Sequence, residues 1–189
     1  ATQAIGLKPN EEEYILMGMS AFGKPLYTQF LKDKFFKWDG HKTKLRYNLH
    51  RGMKSWIDVK TIDYENFAAS VQKLFEDYIV SLCHFAKESI SSNNLIIVGG
   101  GALNCVANSK ITELNLFDQV WVPPNPGDAG LSLGSIAYHI KKSMSLEHAY
   151  LGYNIKKHVD IRSVVDYLLQ GQVIAVANGR AEFGPRALG

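Results

Sequence analysis

The stretch Gly179-Arg-Ala-Glu-Phe-Gly-Pro-Arg-Ala-Leu-Gly189 sets Arg180 and Arg186 on either side of Glu182, among glycines and a proline. A guanidinium is a planar fork of donors matched to phosphate or carboxylate oxygens. Glycine lets the main chain approach a ligand, and Pro185 stiffens that approach. The chemistry this implies is anion binding; the competing reading is a solvated loop at a domain edge, where exposed charges contribute little. A second station, Val98-Gly-Gly-Gly-Ala-Leu-Asn104, lies where an apolar run gives way to a helical pattern. Free backbone N–H groups and the positive helix end make such a junction a site for phosphate or nucleotide. Gly99, Gly100 and Gly101 admit a ligand close to the main chain, and Asn104 offers an amide to a ribose or phosphate oxygen. The spacing matches neither the dinucleotide fingerprint nor the phosphate loop, so a tight glycine turn with Asn104 as a local helper competes. The third station is Pro123-Pro-Asn-Pro-Gly-Asp-Ala-Gly130. Asp128 is there either a helix N-cap or a metal-binding or general-base carboxylate at the C-terminal edge of a sheet. His41, His50, His84, His139, His148 and His158 are scattered, so no complete metal site assembles from the chain.

Several elements must position these stations. Residues 1–30 read as irregular to helical. Phe35 to Leu49 has a strand–turn–strand look, with Asp39-Gly40 as its turn. From about Tyr64 to Ser91, Phe67, Val71, Leu74, Phe75, Tyr78, Ile79, Leu82 and Ala86 recur at three- and four-residue spacing, an amphipathic helix. Thr61 or Asp63 can cap it, and Asn93-Asn94 can end it. Leu95-Ile-Ile-Val98 fits a strand buried on both faces. Helix over Ala102–Leu114, strand over Phe117–Val122 and helix over Asp128–Lys142 follow. This order argues an α/β fold with a parallel or mixed sheet. Residues 143–158 read as a linker, before a helix over Ile161–Leu169 and a strand over Val173–Ala177.

The 189 residues suggest one domain, or one with part of a second. Apolar residues make up 46% and charged residues 21%, ordinary values for a chain able to bury a core. The net charge of +3 is dispersed; Lys32 to Lys54, the densest basic stretch, is interleaved with acids and aromatics and reads as a solvated hairpin. That argues against a nucleic-acid partner. Cys83 and Cys105 fall in helical stretches and read as buried free thiols of a reducing cytoplasm. No apolar run approaches the ~18 residues of a membrane span.

Taken together, Met17-Gly-Met-Ser-Ala-Phe-Gly23, Gly99-Gly-Gly-Ala-Leu-Asn-Cys-Val-Ala-Asn108, Pro124-Asn-Pro-Gly-Asp-Ala-Gly130 and the arginine stretch resemble the O-carbamoyltransferases. These are the nodulation-protein and cephamycin or tobramycin carbamoylating enzymes, and the resemblance covers nearly the whole chain. It implies that residues 1–150 form the second lobe of an actin-like ATPase fold (ASKHA, ribonuclease H-like), a mixed sheet flanked by helices. Residues 151–189 would be a linker and the start of a YrdC-like α/β domain. The implied reaction makes a carbamoyl adenylate from carbamoyl phosphate and ATP, then passes the carbamoyl group to a substrate hydroxyl. The resemblance further implies that Gly99, Gly100, Gly101 and Asn104 line the nucleotide site. It makes Asp128 one ligand of a divalent metal, iron, and places Arg180 and Arg186 where an anion site for carbamoyl phosphate begins. Ser20-Ala-Phe22 stands where Ala-Pro-Tyr or Ala-Ala-Tyr is more usual. The family's metal-binding histidines come from an N-terminal lobe that this chain does not include, so the 189 residues alone are expected not to turn over. Two other classes compete: a nucleotide-binding regulatory module, and a sugar-kinase-like phosphotransferase of the same superfold. The kinase reading gives the arginine stretch no task.

Overall fold

The computed structural model describes residues 1–49, 52–53, 61–155 and 159–185. The chain divides into two compact units, Ala1–Ile96 with Asn104–Trp121, and Ile97–Leu103 with the described part of Val122–Gly189.

The first unit is built on helices α1 (Glu13–Met19), α2 (Thr28–Phe35), α3 (Tyr64–Ser89) and α4 (Cys105–Glu113). Helix α3 forms where the apolar spacing predicts it. Asp63, rather than Thr61, supplies the cap, its Oδ1 accepting the Asn66 N–H at 2.8 Å. Asp63→Ala is expected to cost about 1 kcal/mol, read as a lower denaturant midpoint. The core gathers Ile5, Leu16, Leu31, Phe35, Met53, Phe67 and Leu74, with Phe35 and Phe67 almost wholly buried. Ala68, Ala69 and Ser70 form a run of small buried residues on α3, and the short 3-10 turn Ser20–Phe22 closes against this helix.

The expected hairpin is present as β1 (Phe36–Lys37) and β2 (Lys44–Leu45), antiparallel with Phe36 opposite Leu45. Its aromatics anchor it: Trp38 packs edge-on to Tyr78 at 5.8 Å, and His41 stacks on Phe85 at 3.7 Å. Lys32 lies 4.3 Å over the Trp38 ring, so part of the basic stretch is covered by an aromatic face.

Strands β3 (Asn94–Ile96) and β4 (Gln119–Trp121) pair in parallel, joined through α4 as the strand–helix–strand order predicts. Burial on both faces does not follow. Ile96 and Val98 are 61% and 67% exposed, and Trp121 is also open. A short apolar run has no periodicity to separate a strand covered on both faces from one covered on a single face.

The second unit carries the 3-10 turns Gly100–Leu103 and Asp128–Gly130, α5 (Leu131–Ile140) and α6 (Ile161–Leu169). Strands β5 (Asn154–Ile155) and β6 (Gly179–Arg180) pair antiparallel. The predicted strand over Val173–Ala177 is absent and Val173 is fully exposed, because the ladder forms one step later in the chain, at Gly179–Arg180. The stretch 143–158, read as a linker, therefore contributes a strand. Cys83 is buried as expected, and burial pushes its thiol above the usual range. Cys105 is exposed, as the first residue of α4 faces solvent. Among the described residues no helix is long and apolar enough to cross a membrane.

Candidate functional site

In the second unit, the glycine turn and the Asp128 loop are brought together. Gly99 takes a left-handed φ of +92°, and a Cβ there would meet nothing within 4 Å. Its N–H donates to the Pro126 carbonyl at 2.7 Å, and its own carbonyl accepts from Ala102 at 3.0 Å. The N–H groups of Gly100 and Gly101 open the following turn and have no acceptor within it. Glycine also closes the aspartate loop. A Cβ on Gly130 would lie 2.1 Å from the Asn125 carbonyl oxygen, so only glycine allows this fold-back.

Asp128 is exposed and is not a cap. Gly127 holds the N-cap position of the turn, with no side-chain cap bond. The Asp128 carboxylate has no hydrogen bond or ion pair among the described residues. That leaves it open to a ligand, but one carboxylate is not a metal site. Among the described residues no three His, Cys, Asp or Glu side chains gather as metal ligands.

Asn104 belongs to the first unit, where its side chain has two local tasks. Its Oδ1 caps α4 by accepting the Ala107 N–H at 3.0 Å. It also forms a reciprocal amide pair with Gln72: Asn104 Nδ2 donates to Gln72 Oε1 at 2.8 Å, and Gln72 Nε2 donates back at 3.1 Å. Gln72 is only 5% exposed, and its Nε2 donates as well to Glu76 Oε1 at 2.8 Å. These bonds leave one Asn104 N–H for any ligand.

Beside this network lies a cleft of about 380 Å³. One wall is the first resemblance motif: Met17, Gly18, Ser20, Ala21 and Gly23, with Pro25 beyond it. The other wall is α3, through Ala69, Gln72, Lys73 and Glu76, and Val106 of α4 completes the lining. Glycine at 23 is a packing requirement, since a Cβ there would sit 2.0 Å from the Glu65 carbonyl oxygen. Past that contact the chain is fastened to α3, Lys24 N–H donating to Asn66 Oδ1 at 2.7 Å and Tyr27 N–H to Ser70 Oγ at 2.9 Å.

Sequence reasoning missed Gln72 and Glu76. A signal for Gln72 was present: a polar residue in register with Ala68 and Ala69 on the buried side of a long helix needs a partner for its amide. Arg180 lies on β6 and is exposed, its Nε donating to the Gly152 carbonyl at 3.0 Å. The surrounding strand is paired, with Gly152 N–H to Ala181 O at 2.9 Å and Phe183 N–H to Ala149 O at 2.7 Å. The arginine stretch is thus hydrogen-bonded to residues 149–152 as far as Phe183. Arg186, like His50 and His158, lies outside the described residues.

The chain is 29% identical to an uncharacterized protein of Synechocystis sp., covering 100% of this chain and 39% of that one. It is 27% identical to nodulation protein NolO of Bradyrhizobium diazoefficiens, over 94% of this chain and 39% of the relative. Nodulation protein U of Rhizobium tropici is 34% identical over 66% of this chain and 25% of its own length. The chain thus spans less than half the length of each of these relatives. The family model described as carbamoyltransferase N-terminus matches residues 1–137, a span that holds the cleft motif, the glycine turn, Asn104 and Asp128; the chain belongs to the carbamoyltransferase family.

Proposed function

We propose that this chain is part of an ATP-dependent O-carbamoyltransferase, which transfers the carbamoyl group of carbamoyl phosphate, through carbamoyl adenylate, to a substrate hydroxyl. The observation that carries this reading is the Gly99–Pro126 hydrogen bond, which fastens a glycine turn to a loop bearing an open carboxylate, both within the family match. The free N–H groups of Gly100 and Gly101 suit phosphate oxygens. Asn104, in the first unit, keeps one amide hydrogen that suits a nucleotide oxygen, the role the resemblance gives it. Asp128 serves as one ligand of a divalent metal, iron by resemblance, with the other ligands supplied from outside the described residues. A metal there would polarise the carbonyl or orient the adenylate. Arg180, and Arg186 beyond the described residues, would begin the anion site for carbamoyl phosphate.

The chemistry follows from leaving groups. Water cleaves carbamoyl phosphate to carbamate and phosphate, and a carbamate oxygen attacks the α-phosphorus of ATP as pyrophosphate leaves. From the resulting mixed anhydride AMP departs as the acceptor oxygen bonds to the carbamoyl carbon. The acceptor's proton passes to a base or to water. ASKHA architecture for the first lobe and a YrdC-like domain for adenylate formation complete the proposal, together with a cytoplasmic setting.

Adenylate formation needs no acceptor, so it can be assayed while the hydroxyl substrate is unknown. The whole protein, given ATP and carbamoyl phosphate, should release pyrophosphate only when both are present. ADP production without pyrophosphate would instead indicate a phosphotransferase, and release of neither would leave the regulatory binding module as the better reading.

A further inference from the structure

The loop that carries Asp128 also holds a buried polar side chain with no task in the fold. Asn125 is only 7% exposed. Ser70 and Gln72, buried to a similar degree, both spend their side chains on hydrogen bonds, Ser70 to the Asn66 carbonyl and Gln72 to Glu76. The Asn125 amide makes no hydrogen bond among the described residues. Nor is it sealed in: among those residues, the side-chain polar atom that is both closed off from solvent and unpartnered is His41 Nε2. The body of Asn125 is therefore covered while its amide still meets solvent. Folding normally pairs a carboxamide at such depth, because leaving it without a partner is costly. A place where that rule fails is a place to look for a ligand.

Backbone constraints fix where this residue stands. Its neighbour Pro126 accepts the Gly99 N–H at 2.7 Å, so Asn125 is one residue from the bond that anchors the glycine turn. Its own carbonyl lies against Gly130, where a Cβ would come within 2.1 Å. Pro124 and Pro126 flank it and hold the chain extended there. All of these residues belong to the second unit. The amide is thus carried by a stiff loop, next to the turn whose Gly100 and Gly101 N–H groups are free, and three residues before the open carboxylate.

That the group is an amide and not a cation has a chemical consequence. Lysine or arginine at 125 would be drawn to the Asp128 carboxylate and would neutralise it. A carboxamide brings two N–H donors and no charge, so it can bind an anion and leave Asp128 free for a metal.

We propose that Asn125 is a further nucleotide-contacting residue, its Nδ2 donating to an oxygen of the phosphate that the glycine turn receives. The inference rests on the ATP-dependent reading above, and adds to it the side chain that joins the backbone donors.

The test uses the whole protein and equilibrium binding of two probes: ATP, and adenosine, which lacks the phosphates. Asn125→Ala should weaken ATP by about tenfold or more, the scale of a hydrogen bond to a charged group, and leave adenosine within about twofold. Asn125→Asp keeps the shape but repels the phosphates, so it should weaken ATP further and again spare adenosine. Equal losses for both probes would make Asn125 a residue that shapes the loop, and an unchanged ATP affinity would leave solvent as the partner of its amide. Either result overturns the assignment while ATP dependence stands. A rise in ATP affinity and metal content in Asn125→Asp would place the side chain at the cation, and overturns it as well. If wild type binds no ATP, the functional reading fails and takes this inference with it. Should Asn125→Ala not fold, Asn125→Asp decides by the same comparison.

Discussion

Asp128→Ala in the whole protein should lower carbamoyl transfer by about a hundredfold or more, and metal content with it, while pyrophosphate release from ATP and carbamoyl phosphate continues. The magnitude is that of losing a charged group at a reacting centre, where each tenfold in rate is ~1.4 kcal/mol of barrier. What makes the substitution informative is the isolation of the side chain. The carboxylate is exposed, caps nothing, and has no hydrogen bond among the described residues. Its removal should therefore change folding stability by no more than about 0.5 kcal/mol, as for ordinary surface positions. A large drop in transfer with an unmoved unfolding midpoint places the effect in the site. Unchanged metal stoichiometry together with an unchanged transfer rate would remove Asp128 from it.

The second large effect is structural and comes in two opposite signs within one motif. Gly23→Val should destabilise the protein by about 3 kcal/mol or more, the upper range for overpacking. The clash would be with main chain: a Cβ would meet the Glu65 oxygen at 2.0 Å and the Asn66 nitrogen at 2.6 Å. Those atoms belong to the capped first turn of α3 and cannot withdraw without loosening the Lys24–Asn66 and Tyr27–Ser70 bonds. Gly18, five residues earlier, is a helical glycine in α1 with nothing within 4 Å of a Cβ. Gly18→Ala should stabilise by up to about 1 kcal/mol, through helix propensity alone. Denaturant midpoints for the two variants should move in opposite directions; a shared sign would show that the motif's glycines are not separated by packing in this way.

Local signals carried much of the fold. The period of α3, the Asp39-Gly40 turn and the strand–helix–strand order around α4 each reflect chemistry confined to a few neighbouring residues, and each forms near its expected place. The errors lie where the outcome depends on what a segment meets. Ile96 and Val98 are as apolar as any core strand, yet stand open because exposure is decided by covering layers and not by composition. Val173–Ala177 has strand-forming residues but no ladder, since its neighbour pairs with Gly179–Arg180 instead. Cys105 lies on a helix, as read, but on its open side. The site divides in the same way. Glycine turns and an aspartate loop are legible because backbone constraints are local. Gln72 and Glu76 become relevant only when a residue roughly thirty positions away, Asn104, folds against them.

That long reach has a consequence for the order in which the protein assembles. The core residues Ile5, Leu16, Leu31, Phe35, Phe67 and Leu74 all precede the second half of α3, so this nucleus is available early and with modest loop closure. Gln72 is buried on the same helix, but its partner arrives only after the chain has left the first unit at Ile96 and returned at Asn104. Until then Gln72 Nε2 can reach Glu76 within α3, but its amide oxygen must either stay wet or go unmatched, at a cost of about 1–3 kcal/mol. Docking of α4 relieves that cost, so the cleft wall matures in a late step, separate in time from collapse of the core beneath it.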